Sequence, residues 1–301
     1  MRYTHSFTRS RLSLMKPSAS EFHDIRGLRY HVRTWGDSRA PRIFLLHGWM
    51  DVSASFQFLV GALIREWHVV APDWRGFGLT EWAREGYWFP DYYADLDALL
   101  ALYEPDSAVN LVGHSMGGNI AVTYAGLKPE RIAKLVTLEG LGLARSASED
   151  APDRLVRWMD SLRKPPSFRP YASFGDVAKR LKKNNSRLGD ERAQFLARHW
   201  AAEKRPGVVE MRSDPRHKAP NPYLFRLDEA LACWRRVTAP VLLVSGRDSH
   251  IVAWLKDRPQ ELAERKAAFR DFREVELEDC GHMMHHDQPE ALASLIEEFL
   301  A

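Results

Sequence analysis

The chain has few cysteines, no long apolar run and little net charge, and each shortage excludes a class of protein. Its 301 residues include two cysteines, Cys233 and Cys280, which are too few for a disulfide framework and lack the spacing of metal ligands. They predict two thiols in a reducing compartment and a cytoplasmic protein. The longest stretch without Asp, Glu, Lys or Arg, residues 107–127, contains four glycines, two Asn, a His, two Ser and a Thr. This composition is too polar for a spanning helix, so no transmembrane segment is expected.

The net charge of +3 is distributed unevenly along the chain. Residues 1–20 contain four basic residues and no acidic one, and residues 142–230 contain nineteen Lys and Arg against twelve Asp and Glu. The basic residues of the second segment alternate with acidic ones and match no nucleic-acid-binding motif. We therefore expect a charged, solvated surface and no nucleic-acid partner.

The first twenty residues are rich in Ser and Arg and lack the apolar core of about 7 to 15 residues that a secretory signal requires. They predict a basic, disordered tail. The alternative is an extension from an upstream start codon, with Met15 as the first residue.

Apolar runs and helical patterns alternate through most of the chain. The composition of buried strands is found at residues 43–46, 109–112 and 241–244. Between such runs, apolar residues recur at the spacing of helices. This alternation predicts an α/β fold with a mostly parallel sheet and helices on both faces, over residues 21–142 and 236–301. The intervening residues 143–235 contain eight of the seventeen prolines and predict an inserted helical cap.

A nucleophile motif follows one of these strands. Residues 113–117 are Gly-His-Ser-Met-Gly, between the strand at 109–112 and a predicted helix. This is the setting of a nucleophile elbow, a sharp turn between strand and helix that exposes a Ser hydroxyl. The turn needs glycine on both sides of the serine, because a side chain there would clash with the neighbouring backbone. Ser115 is therefore the predicted nucleophile.

A serine nucleophile needs a base and an acid that orients the base. His282 lies between the last strand and the last helix and is the predicted base. Asp248 follows the strand at 241–244, and the order Ser115, Asp248, His282 is the one expected along the chain for this triad. Glu139, at the end of a neighbouring strand, is the alternative acid, and we favour Asp248.

The oxyanion of the tetrahedral intermediate requires two N–H donors. The backbone N–H of Met116, directly after the nucleophile, is the first candidate, and that of Trp49, in the loop after the strand at 43–46, is the second. The Trp49 side chain either lines the acyl pocket or packs beneath the cap.

A metal site at the C-terminal histidines is not expected. His282, His285 and His286 have H-x-x-H-H spacing, but no carboxylate-rich helix accompanies them. The sequence predicts neither a metal nor a cofactor.

Five motifs together resemble the α/β-hydrolase family, in particular the capped branch that includes epoxide hydrolases, dehalogenases and serine hydrolase-like proteins. They are HGW at 47–49, DWRGFG at 73–78, GHSMGG at 113–118, SGRDS at 245–249 and GHMMHHDQPE at 281–290. The resemblance covers about residues 22–301 apart from the cap. It implies an α/β-hydrolase fold in which Asp73 and Arg75 brace loops and take no part in the reaction.

Members of this branch that open epoxides or displace halide use an Asp nucleophile, whereas this chain has Ser115. The difference argues against both activities and favours transfer of an acyl group to water. We therefore expect a serine hydrolase acting on a small or medium carboxylic ester, with a small-molecule substrate as its partner. The alternatives are a C–C bond hydrolase or lactonase with the same triad, and a ligand-binding protein on a hydrolase scaffold.

Overall fold

A computed structural model describes residues 2, 3, 15–250, 255 and 257–301. Its strands are β1 (Arg2–Tyr3), β2 (Ser18–Ile25), β3 (Leu28–Trp35), β4 (Arg42–Leu46), β5 (His68–Pro72), β6 (Val109–His114), β7 (Ile132–Leu138), β8 (Ala201–Arg205), β9 (Val208–Met211), β10 (Val241–Gly246) and β11 (Phe272–Leu277). Within the described residues, nine strands form one sheet in the order β1-β11-β10-β7-β6-β4-β5-β3-β2.

The sheet is parallel from β1 across to β5, and only the pairs β5/β3 and β3/β2 are antiparallel. The central strands are almost continuously apolar and buried, as parallel strands covered on both faces must be. The predicted α/β architecture is confirmed. Since β4, β6, β7, β10 and β11 run in the same direction, the loops after them emerge at one edge of the sheet.

Helices cover both faces of this sheet. The helices of the described residues are α1 (Gln57–Ala62), α2 (Phe89–Tyr103), α3 (Met116–Leu127), α4 (Ala151–Arg163), α5 (Phe174–Asn184), α6 (Asp190–Trp200), α7 (Leu227–Trp234), α8 (Pro259–Lys266), α9 (Met284–Asp287) and α10 (Pro289–Leu300). Apolar side chains of α2, α3 and α7 fill the core on one face, and those of α1 and α10 fill the core on the other. No helix in the described part of the chain has both the length and the apolar character to cross a membrane.

The segment between β7 and β10, where an inserted helical cap is expected at 143–235, contains helices together with a β-hairpin. Helices α5 and α6 share a third apolar cluster that includes Val177, Leu181 and Leu196, and β8 and β9 add an antiparallel hairpin. Helix α7 lies inside the predicted cap limits, yet Leu231 and Trp234 pack into the main core beside α3. By packing, the cap therefore ends before α7.

The N-terminal segment is partly ordered, in contrast to the disordered tail predicted for residues 1–20. Arg2 and Tyr3 pair in parallel with β11, and Ser18 begins β2. These short segments carry no apolar pattern in their sequence. They are ordered by backbone hydrogen bonds to neighbouring strands. Residues 1 and 4–14 lie outside the described residues, and there the tail stays a prediction.

The turn at residues 73–78 braces its neighbours, as the resemblance implies. The Asp73 carboxylate accepts hydrogen bonds from His31 Nδ1 at 2.7 Å and from the Ser53 backbone N–H at 2.6 Å. Burial would raise the pKa of Asp73, but the bond from His31 is decisive and holds it well below its usual value. Arg75 binds Asp95 through two hydrogen bonds of 2.6 Å.

The same turn holds the cap. The Gly78 N–H donates to the Arg212 carbonyl at 2.6 Å, and the Asp214 N–H donates to the Gly76 carbonyl at 2.8 Å. His217 inserts between two core rings, with ring centroids 3.9 Å from Phe77 and 3.6 Å from Tyr87. A histidine thus docks the cap on the core.

We expect acid to weaken this contact. Burial lowers the pKa of His217 to about 3, whereas an unfolded-state histidine has a pKa of about 6.5. The unfolded chain therefore binds the proton first, and stability is lost as pH falls from about 6.5 towards 3. For His217 alone the loss at pH 5 is about 2 kcal/mol. Urea unfolding at pH 7.5 and pH 5 measures it.

The matched variant is His217→Phe, which keeps an aromatic ring in place but cannot titrate. Its loss of stability between pH 7.5 and pH 5 is expected to be smaller than that of the unmodified chain. Equal losses in the two proteins would show that His217 does not contribute to the pH dependence.

Candidate active site

Ser115 occupies a sharp turn between β6 and α3. Its backbone has φ 52° and ψ −112°, a conformation that costs a non-glycine residue about 1–3 kcal/mol. The Ser115 N–H donates to the Leu138 carbonyl at 2.8 Å, and its carbonyl accepts from the Asn119 N–H at 2.9 Å, so both sides of the turn are fixed. A Cβ on Gly113 would lie 2.5 Å from the Gly117 carbonyl oxygen. The glycines flanking the predicted nucleophile are therefore required by space.

His282 lies in the loop between β11 and α9, and its Nδ1 is 2.6 Å from a carboxylate oxygen of Glu139. The Glu139 side chain is 0% exposed, and that of His282 is 18% exposed. The carboxylate also accepts hydrogen bonds from the Gly246 N–H at 2.8 Å and from the Ser249 hydroxyl at 2.7 Å. These donors offset the cost of burying the charge and fix the carboxylate against the imidazole.

The sequence predicts a contact between Asp248 and His282. In the structure His282 contacts Glu139 instead, so the prediction is corrected at this point. Asp248 Oδ2 accepts a hydrogen bond of 2.6 Å from the Arg187 guanidinium of the cap, and its side chain is 45% exposed. The cause is strand order. β7 lies between β6 and β10, so Glu139 at its end lies on the side of the nucleophile, while the turn after β10 directs Asp248 outward.

The two predicted oxyanion donors lie on either side of Ser115. Met116 is the first residue of α3, and Trp49 follows Gly48 in the turn after β4. A Cβ on Gly48 would come within 3.3 Å of Ser115 Cβ, so this turn passes directly against the nucleophile. Neither N–H finds an acceptor in the described part of the chain. The Trp49 side chain is 51% exposed and is not packed beneath the cap.

His114 and Ser249 contribute to the site without having been predicted to do so. His114 Nε2 donates to the His282 carbonyl at 2.9 Å and so supports the loop that carries His282, the predicted base. Burial lowers the pKa of His114 well below its usual value, which keeps the ring neutral. Ser249 supports Glu139. Both residues belong to motifs visible in the sequence, but their contacts depend on segments far apart in the chain.

A cavity of about 1000 Å³ opens between α2, α3, α7 and the cap helix α4. Its wall on α3 begins at Asn119, one helical turn after Ser115, and extends to Leu127. Phe225 and Trp234 are among the aromatic residues of its lining. The lining is largely apolar, and Ser115, Glu139 and His282 are not among its residues.

Comparisons with known proteins agree with this geometry. A family model described as alpha/beta hydrolase fold matches residues 41–289. A serine hydrolase-like protein of Danio rerio is 30% identical, over 95% of this chain and 90% of the relative. Lipase LipV of Mycobacterium tuberculosis is 28% identical, over 90% of this chain and 97% of that relative. A solved thioesterase domain from the curacin biosynthetic pathway has a TM-score of 0.80 at 26% identity, over 93% of this chain and 99% of that domain.

Proposed function

Because the chain belongs to the alpha/beta hydrolase family, we propose that it hydrolyses a small or medium carboxylic ester through an acyl-enzyme on Ser115. The observation that carries the proposal is the contact of 2.6 Å between Glu139 and His282 Nδ1, in a loop held by a hydrogen bond from His114, the residue before Ser115. The relatives named as a serine hydrolase-like protein and a lipase support it.

In the first half of the reaction, His282 Nε2 takes the proton of the Ser115 hydroxyl while the oxygen attacks the ester carbonyl carbon. Glu139 accepts the Nδ1–H hydrogen bond and stabilises the imidazolium by its charge. When the tetrahedral intermediate collapses, the bond from carbon to the alcohol oxygen breaks. The leaving alcohol takes the proton from His282 Nε2, and the acyl group stays on Ser115.

In the second half, water attacks the acyl carbon and gives a proton to His282 Nε2. The bond to Ser115 Oγ then breaks, the serine regains the proton, and the carboxylic acid leaves. The N–H groups of Met116 and Trp49 stabilise the oxyanion in both halves, because they are fixed before the reaction and need no reorganisation.

The cavity beside α3 favours an apolar acyl or alcohol group. It begins one helical turn from Ser115 and is lined by rings such as Phe225 and Trp234. The apolar group of a substrate would have to extend past Asn119 to enter it, because no proposed catalytic residue lines the cavity. Thioesters are the second candidate, supported by the similar thioesterase domain. Oxygen esters and thioesters with matched acyl groups, assayed together with lactones and C–C hydrolase substrates, would distinguish these activities.

A fluorophosphonate tests the proposed nucleophile directly. Because covalent capture requires an activated serine, we expect one adduct per chain on the unmodified protein and none on Ser115→Ala, measured by intact mass. An adduct that persists on Ser115→Ala would assign the reactive serine elsewhere. No adduct on the folded, unmodified protein would contradict the serine hydrolase and favour a binding protein on a hydrolase scaffold.

A cytoplasmic location completes the proposal. It is supported by the two free cysteines, Cys233 and Cys280, of which the second is buried.

A further inference from the structure

Three buried polar side chains meet directly behind the nucleophile. Asp51 lies in the loop after β4, His114 is the last residue of β6, and His285 lies in α9. Each offers a ligand atom that lies within 4.8 Å of the other two. All three residues are at most 2% exposed.

Each of the three carries a polar atom with no hydrogen-bond partner in the described part of the chain. These atoms are Asp51 Oδ2, His114 Nδ1 and His285 Nδ1. Buried polar atoms are normally satisfied, so three in one cluster call for a common partner. The other ring nitrogen of His285, Nε2, lies 3.7 Å from Asp51 Oδ2, which is too long for a hydrogen bond, and 3.3 Å from the Ser55 hydroxyl oxygen.

We propose that Asp51, His114 and His285 form a binding site for a divalent transition-metal ion of the Zn²⁺ class. One carboxylate oxygen and two imidazole nitrogens are a donor set that such ions prefer. Charge favours an ion over a water molecule. Among the described residues, Asp51 Oδ1 accepts the Val52 N–H at 2.9 Å and Oδ2 has no hydrogen-bond partner, so a cation compensates a buried charge that a water molecule leaves uncompensated.

Coordination requires a small contraction of the cluster. Zinc binds imidazole nitrogen and carboxylate oxygen at about 2.0–2.2 Å, so its ligand atoms lie about 3.5 Å apart. A side-chain movement of about 1 Å closes the difference from 4.8 Å. The H-x-x-H-H spacing alone did not predict this site, because the acid comes from the loop after β4 and one histidine from the nucleophile motif.

The site has a consequence for the reaction, and this part rests on the proposed function. His114 precedes Ser115 and its Nε2 holds the His282 carbonyl at 2.9 Å. An ion that draws His114 towards Asp51 therefore displaces both the nucleophile turn and the loop of the base. Occupation of the site inhibits the enzyme reversibly, and a chelator restores it.

Titration calorimetry with Zn²⁺ on the full chain tests binding without reference to activity. We expect one ion per chain, and at least a tenfold weaker affinity for Asp51→Asn and for His285→Asn. The matched control is His250→Asn, which removes an exposed histidine outside the cluster and is expected to bind as the unmodified chain does. No binding, or binding that is lost only in His250→Asn, would overturn the proposal.

A second measurement needs no variant and so does not depend on their folding. X-ray absorption of the Zn²⁺-loaded protein is expected to show nitrogen and oxygen ligands with two imidazoles. Sulfur ligation, or a shell of water oxygens alone, would contradict the site. The rate of fluorophosphonate labelling with and without Zn²⁺ then tests inhibition. If the protein binds the ion but never labels, the proposed hydrolase fails while the metal site stands.

Discussion

The Glu139→Gln variant is expected to hydrolyse its ester with a kcat lower by about 10⁴-fold, while its fold is retained. The amide removes the charge that stabilises the imidazolium and the acceptor that fixes the His282 tautomer. Its shape still fits the buried site, where Gly246 and Ser249 donate to the carboxylate. Steady-state kinetics on an active ester measures the effect, and the rate of fluorophosphonate labelling reports it even without a known substrate.

Asp248→Asn is the matched control, since Asp248 is the other acid at this edge of the sheet. It lies at the surface and binds Arg187, so we expect kcat within about twofold of the unmodified enzyme, because exposed ion pairs contribute little. The reverse result, with activity lost in Asp248→Asn and retained in Glu139→Gln, would make Asp248 the triad acid after all.

A large loss of stability is expected when Asp95 becomes Asn. Asp95 is fully buried in α2 and accepts two hydrogen bonds from Arg75 and one of 2.7 Å from the Tyr30 hydroxyl. When Asp95 loses its negative charge, the buried guanidinium of Arg75 loses its buried counterion. The partly exposed Asp91, 3.2 Å away, then remains as its counterion. Breaking a buried pair from one side costs about 3 kcal/mol or more, and urea unfolding at pH 7.5 measures it.

The surface ion pair between Asp37 and Arg39 provides the comparison. Both side chains are exposed to solvent, so Asp37→Asn is expected to change the free energy of unfolding far less than Asp95→Asn does. If Asp95→Asn lowers the free energy of unfolding no more than Asp37→Asn does, the buried pair of Arg75 and Asp95 does not support the turn at residues 73–78.

The nucleophile turn could be predicted from sequence because its cause is local. Five consecutive residues contain the serine, both glycines and the start of α3, and steric limits leave one arrangement. The acid could not be settled in this way. Glu139 and Asp248 both follow parallel strands and emerge at the same edge, and the choice depends on which strand lies beside β6, a property of the whole sheet.

Other differences between the sequence-based predictions and the structure also arise from contacts between residues that are far apart in the chain. The sequence of β8, Ala-Ala-Glu-Lys-Arg, has no β-branched or aromatic residue, so it carries no strand signal and is ordered by pairing with β9. Asp51, His114 and His285 come from three distant segments, and only the assembled sheet brings them together. The α/β alternation, in contrast, is carried by apolar runs that each segment contains.

The cap has an apolar cluster of its own, separate from the two clusters that cover the sheet. Substitutions among residues such as Val177 and Leu196 therefore change the cap with little effect on the packing around Ser115. The packing of the cap and the packing of the sheet can therefore change independently of each other. What couples the two is the backbone pairing of residues 212 and 214 with the turn at 76–78.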